Sequence, residues 1–318
     1  MPNCYRDKLA SMKLNQMRDV AAISEHGSLR AAARALGLAQ PALTRSVREL
    51  ERELGAPLFE RRTKGMLLTP AGEAFVRRAK AILSDVERAR IEVGQIRGGV
   101  SGSLVAGLSI AAHIALLPPS MKRFQHRYPD VHLRIIEGFF PTLLAGLRDG
   151  SVDFYVGPRP SDSVPEGLVV EKLFDNKRLI VCRANHPLAP KSAKPVSLRD
   201  LSGAEWLTTS ITQNADDELG GIFRRYNLPP PRLIVQTQSA LSVMLTLLYT
   251  DLLAMMPVQF TEFAVIAKEI KSIPVIEKLP APPMVLVRRS GLSLTPAAQF
   301  FVELLHKKSP SDDAQPLR

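Results

Sequence analysis

Residues 27–55, GSLRAAARALGLAQPALTRSVRELERELG, set the narrowest limits on what this chain can form. Ser28 is suited to cap a helix, LRAAARAL is a short alanine-rich helix former, and Gly37 stops it. The run QPALTRSVRELEREL tolerates Pro41 in its first turn and stops at Gly55. Upstream, Leu14, Met17, Val20, Ala21 and Ile23 follow helical spacing up to His26, and Gly27 ends that helix. Two helices joined by so short a turn predict a helix-turn-helix, with Ala31, Ala32 and Ala35 letting the pair approach closely. LFERRTKGMLLTPAG then reads as a basic hairpin, or wing, turning at Lys64-Gly65.

Such a unit puts the start of its second helix into the major groove of DNA. Gln40, Pro41, Ala42, Thr44 and Arg45 are therefore the expected base readers. Gln pairs bidentately with adenine, Arg with guanine, and Ala or a Thr methyl packs on a thymine methyl. Ser28, Arg34, Arg48, Arg62 and Lys64 are expected around the groove as phosphate contacts that fix register. The charge agrees: the chain carries a formal net charge of +11, most of it in the first hundred residues.

Beyond Pro70 the pattern changes. Phe75, Ala79, Ile82, Val86, Ala89, Val93 and Ile96 recur in steps of four and three, with mostly polar residues between, which predicts a dimerisation helix. GGVSGS, residues 98–103, breaks it as a hinge. Strand-like and helical runs then alternate, predicting parallel strands with crossover helices in two α/β lobes and a ligand cleft between them. At 318 residues the chain has room for such an arrangement. The expected organisation is a DNA-binding domain at 13–70, a linker helix at 71–97, a hinge at 98–103, an effector domain at 104–305 and a disordered tail at 306–318.

The string at residues 27–72 closely resembles the N-terminal winged helix-turn-helix of LysR-type transcriptional regulators. AA at 31 and 32, QPALTRSVRELE at 40–51, LG at 54–55, LFER at 58–61 and LTPAG at 68–72 carry the resemblance, which continues to residue 305. Ala39, Thr44 and Arg30 depart from the residues common in that family. The resemblance implies the fold class: an N-terminal winged helix-turn-helix, a long linker helix, and a two-lobed α/β domain similar to periplasmic substrate-binding proteins. It implies a homotetramer on promoter DNA, with RNA polymerase as a further candidate partner; the dimer through the linker helix already predicts an operator with an imperfect inverted repeat, and the expected location is cytoplasmic. It also implies a small effector in the cleft.

Ser109 falls where the family motif places an effector-contacting Ser or Thr, and it ends a strand just before a helix. Thr208, Thr209 and Ser210 close a strand expected opposite it, and Ser239 and Thr142 begin helices at the same cleft. Phe139 and Phe140 stand where the family has small polar residues, so the expected effector is an anion with an aromatic body, a carboxylate or sulfonate, unless these rings belong to the lobe core. Asp251 occupies a turn that is usually glycine-rich in the family, either capping or solvating the bend or altering lobe closure.

Other functions fit less well. The six histidines are scattered, no Gly-x-Ser-x-Gly elbow or phosphate-binding glycine loop occurs, and Cys182 with His186 in CRANHP reads as a strand entering a turn, so no enzyme, metal or cofactor is expected. Two cysteines, Cys4 and Cys182, suit a reducing compartment, and the first residues lack an export signal. The apolar stretch at 239–258 contains Asp251 and Pro257 and reads as helix, turn and strand rather than a membrane span. The rival is a solute-binding protein, which would have no use for the basic N-terminal unit.

Overall fold

The computed structural model describes residues 12–62, 65–160, 164–189, 194–209, 216–263 and 265–306. Lys64, Ser210 and the tail from residue 307 lie outside them. The chain divides into one compact unit of Met1–Arg97 with Arg148–Ser151, and a second of Gly98–Leu147 with Val152–Arg318.

The first unit opens with α1 (Leu14–His26), α2 (Leu29–Leu36) and α3 (Gln40–Leu54). Gly27, Gly37 and Gly55 end the three helices in the left-handed region, where a side chain would be strained. The closest packing uses Ala32 and Ala33, both buried, whereas Ala31 is half-buried and Ala35 exposed. In an eight-residue helix, positions 29, 32, 33 and 36 share a face, and Ala35 falls on the other side. The core adds Val20, Ile23, Leu43, Val47, Leu50 and Leu58.

A hairpin of β1 (Phe59–Arg62) and β2 (Gly65–Leu68) follows, closing at the Arg62–Gly65 pair. The LTPAG motif then starts α4 (Pro70–Ile96). The Thr69 hydroxyl accepts from the Gly72 N–H at 3.0 Å and donates to the Pro57 carbonyl at 2.7 Å. A Cβ on Gly72 would come within 2.0 Å of the Leu58 carbonyl oxygen, so only glycine lets the helix sit so near the wing. Val76 and Ala79 are buried, but Ile82, Val86, Val93 and Ile96 stand exposed along α4.

The second unit contains two five-stranded sheets. In the first lobe β3 (Ser101–Leu108) pairs parallel with β4 (Asp130–Glu137) and β5 (Phe154–Pro158), while β12 (Met284–Arg289) runs antiparallel between β5 and β6 (Leu168–Phe174). In the second, β8 (Glu205–Thr208) is parallel to β9 (Arg232–Gln236) and β10 (Leu253–Pro257), while β7 (Arg178–Arg183) runs antiparallel between β10 and β11 (Ile270–Ile273). The sheets are thus mixed rather than parallel, because the chain changes lobe after β6 and returns after β11. The last strand and α11 (Pro296–His306) therefore complete the first lobe, where Phe301 meets Phe124 edge-on at 5.0 Å.

α5 (Ile110–Ala115) and α6 (Leu117–Arg127) follow β3, and α7 (Phe140–Asp149) follows β4. α8 (Asp216–Arg225) and α9 (Ala240–Tyr249) belong to the second lobe, as does the single turn α10 (Gln259–Glu262). The stretch at 239–258 is indeed helix, turn and strand. Among the described residues no helix is long and apolar enough to cross a membrane. Asp251 braces the bend within the second lobe. Its Oδ1 accepts from Arg183 at 2.7 Å, and its backbone carbonyl accepts from His186 Nε2 at 3.0 Å. His186 Nδ1 accepts from the Leu188 N–H, so CRANHP forms a hydrogen-bonded turn.

Phe140 corrects an expectation. It is 6% exposed and packs among Leu143, Leu147, Val285 and Tyr155, with ring centres 6.0 Å apart in the last pair. Phe140, the first residue of α7, packs against sheet residues, while Phe139 precedes the helix and is only half-buried. Burial pushes the Tyr155 hydroxyl well above its ordinary pKa, against a hydrogen bond from the Phe140 backbone. Phe140→Ala should therefore cost about 3–5 kcal/mol of stability in equilibrium urea unfolding; a loss below about 1 kcal/mol would place the ring outside the core.

Candidate nucleic-acid interface and effector cavity

The outer face of α3 is polar, basic and unobstructed within its unit. Gln40, Pro41, Thr44, Arg45, Arg48, Glu49 and Arg52 line a shallow concavity along it. Ala42 is exposed beside them, and Leu43, Val47 and Leu50 face the core. The expected base readers thus share one surface. The Thr44 hydroxyl donates to the Gln40 carbonyl at 2.9 Å, a bond back along the helix. Arg34 is exposed, and Arg62 is exposed and paired with Glu60 at 2.8 Å.

Ser28 takes the capping role that its place before LRAAARAL predicts. Its hydroxyl accepts from the Ala31 N–H at 3.2 Å and caps α2. Arg52 and Glu49 escaped the sequence reading although the spacing from Pro41 and Arg45 through Arg48 was there to show them. Asp19 also escaped it. Its carboxylate is 3% exposed, accepting from Ser46 of α3 at 2.6 Å and from Arg18 at 3.1 Å. A buried acid on an otherwise apolar face was the available signal. The bond fixes the reading helix against α1 from its inner side.

The second unit holds a cavity between its lobes. Ser109, Phe139 and Pro158 line it from the first lobe, Thr208, Thr209 and Met256 from the second, and Asn176 and Arg178 where the chain crosses. Ser109 is 2% exposed and caps α5, its hydroxyl accepting from the Ala112 N–H at 3.4 Å. α5 is buried from both sides: Ala111 and Ala112 lie in the first lobe's core, and Ile110 lies in the second's.

Of the residues expected at the cleft, Ser109, Phe139, Thr208 and Thr209 line this cavity, and so do Arg178 and Asn176, which sequence reasoning did not name because they are brought there by the facing of two sheets. Thr142 and Ser239 do not line it. The Thr142 hydroxyl donates to the Phe139 carbonyl at 2.8 Å, and Ser239 caps α9 by accepting from the Ser242 N–H at 3.3 Å. The cavity measures about 50 Å³. A cavity that holds benzene is about 150 Å³, so this one is small.

Comparison with known proteins agrees with this division of the chain. The family profile for the bacterial regulatory helix-turn-helix protein, lysR family, matches residues 14–73, and the LysR substrate binding domain matches residues 97–310. The chain belongs to the LysR family. As a LysR-type DNA-binding transcriptional regulator it carries an effector-binding domain behind its helix-turn-helix. The HTH-type transcriptional regulator GbpR of Rhizobium radiobacter is 29% identical over 79% of this chain and 83% of its own length. The uncharacterized HTH-type transcriptional regulator YnfL of Escherichia coli K12 is 28% identical over 92% and 97%. Among solved structures, full-length CbnR complexed with its target DNA superposes with a TM-score of 0.65 at 21% identity, covering 94% of this chain and all of that one. A full-length OxyR variant from Pseudomonas aeruginosa gives 0.67 at 20%, covering 94% and 99%.

Cys182 of this regulator lies on β7, fully buried. Burial pushes its thiol up to about 11, against Lys271 and Arg183. At neutral pH it is a thiol, the unreactive form. In a Cys4→Ser variant, Cys182 should resist maleimide at pH 8 and react once urea unfolds the chain; rapid native labelling would contradict its burial. Asp19→Ala should lose about 1–3 kcal/mol, since it strips a partner from Ser46. Unchanged urea unfolding would reduce that bond to a surface contact.

Proposed function

We propose that this regulator acts in the cytoplasm on an imperfect inverted repeat, as a dimer through α4 and a tetramer overall, and that its cavity takes a compact anion. The observation that carries the DNA reading is the exposed face of α3. Gln40, Pro41, Ala42, Thr44 and Arg45 present hydrogen-bonding and apolar groups at the helix start, the end that enters the groove. Arg34, Arg48 and Arg62 serve the phosphates, joined by Arg52, with Lys64 of the wing as a further contact. Ser28 supports the site through the backbone of α2.

The dimer rests on the exposed stripe of Ile82, Val86, Val93 and Ile96, which water disfavours and a second copy of the helix would cover. For the effector, Arg178 supplies positive charge while Ser109, Thr208 and Thr209 supply hydroxyls. The small volume favours a short carboxylate or an oxyanion over an aromatic acid, for which the lobes would have to part. Phe139 remains as the aromatic wall.

Arg45→Ala should weaken operator binding by about 1–3 kcal/mol and relax sequence preference; equal weakening on random duplex would make Arg45 a phosphate contact. Ile82→Glu with Val86→Glu should halve the mass seen by light scattering, and an unchanged mass would remove α4 from the interface. An anion at 100 times its dissociation constant adds about 2.7 kcal/mol to stability. Acetate, oxalate, sulfate and benzoate can be compared by thermal unfolding. The compact anions should stabilise the protein and lose that effect in Arg178→Gln, whereas stabilisation by benzoate alone would restore the aromatic effector.

A further inference from the structure

Glu137 is the last residue of β4 in the first lobe, yet its hydrogen-bond partner is in the second. Its Oε1 accepts from the backbone N–H of Ala240, the first residue of α9, at 2.7 Å. The chain itself passes between the lobes after Phe174 and again after Ile273. Beside these crossings and the packing of Ile110 in the second lobe's core, this bond is a side-chain link that is free to break.

The pairing is favoured by charge. A ten-residue helix such as α9 gathers partial positive charge on its first amides, and α9 has no acidic residue in its own first turn. The first lobe provides the missing carboxylate. Neighbouring donors are met locally, with Ser239 N–H on the Thr237 hydroxyl and Ser242 N–H on the Ser239 hydroxyl, both at 3.3 Å. The link also sits on the segments that form the cavity walls. Phe139, two residues beyond Glu137, lines the first-lobe side. Thr208, on the opposite side, accepts at its carbonyl from the Thr237 N–H at 3.1 Å, just before Ala240.

We propose that Glu137 is a positioning residue for the cavity: its carboxylate, seated on the N-terminus of α9, holds the two lobes closed. Parting the bond returns the carboxylate and the amide to water, so closure is reversible and its net contribution modest. The apparent affinity for any ligand that needs the closed state scales with the closed fraction, and Glu137 sets that fraction. This functional consequence rests on the cavity being the effector site; the closure itself does not.

The test uses the full chain without ligand. Spin labels are placed by Lys122→Cys in the first lobe and Lys268→Cys in the second, both exposed positions, in a Cys4→Ser background. Pulsed electron resonance then reads the distance between lobes, and hydrogen exchange reads residues 237–243. Glu137→Ala should lower the closed-to-open ratio about tenfold, broadening the distance distribution and speeding exchange, as expected for loss of a charge-assisted bond. Glu137→Gln, which keeps the carbonyl acceptor, should recover part of both. Faster exchange with an unchanged distance distribution would overturn the proposal and leave Glu137 a local helix cap. Sulfate stabilisation of the unsubstituted protein is scored separately, so a cavity that ignores anions and a clasp that does not hold give different results.

Discussion

A six-residue helix buried from two sides is the constraint on which the effector domain depends. α5 gives Ala111 and Ala112 to one lobe's core and Ile110 to the other's. Neither lobe can shift along it without exposing apolar surface or opening a void, and close-packed interiors tolerate neither cheaply. Ser109, at the start of this helix, lies where the two cores meet.

The two sites are built on opposite physical terms. The DNA surface is open, basic and polar. Its geometry comes from beneath, where Val20, Ile23, Leu43 and Val47 pack and Asp19 holds Ser46. The cavity is a small cleft between two lobes, with Arg178 and the hydroxyl-bearing Ser109, Thr208 and Thr209 among its lining. Glu137, at the edge, is more exposed and correspondingly weaker, which suits a contact that has to break.

Much of the DNA-binding unit was legible in the sequence because its signals are local. Ser28, Pro41 and the three helix-ending glycines act within a turn of their own position, and helical spacing assigns the faces of α3 directly. The same spacing contains the reason that Ala32 and Ala33, rather than Ala35, touch the core, and it shows Arg52 in line with Arg48. The cavity was legible only in part. Ser109 and Thr208 lie at strand ends, a position that strand periodicity reveals, but of the neighbours Phe139 and Phe140 one lines the cavity and the other is buried in the lobe core, which spacing alone does not tell.

What the sequence determined by itself was the set of elements near the N-terminus, their caps and stops, the basic reading face, and the apolar stripe along α4, since each follows from residues close together in the chain. Tertiary structure alone decided that Met284–Arg289 returns to the first lobe, that the sheets are mixed, and that Arg178 lines the same cavity as Ser109. It also decided that Glu137 caps a helix 103 positions away. Such pairings depend on where the chain crosses between sheets. The energy that fixes those crossings is apolar burial summed over whole lobes, and no short stretch of residues carries it.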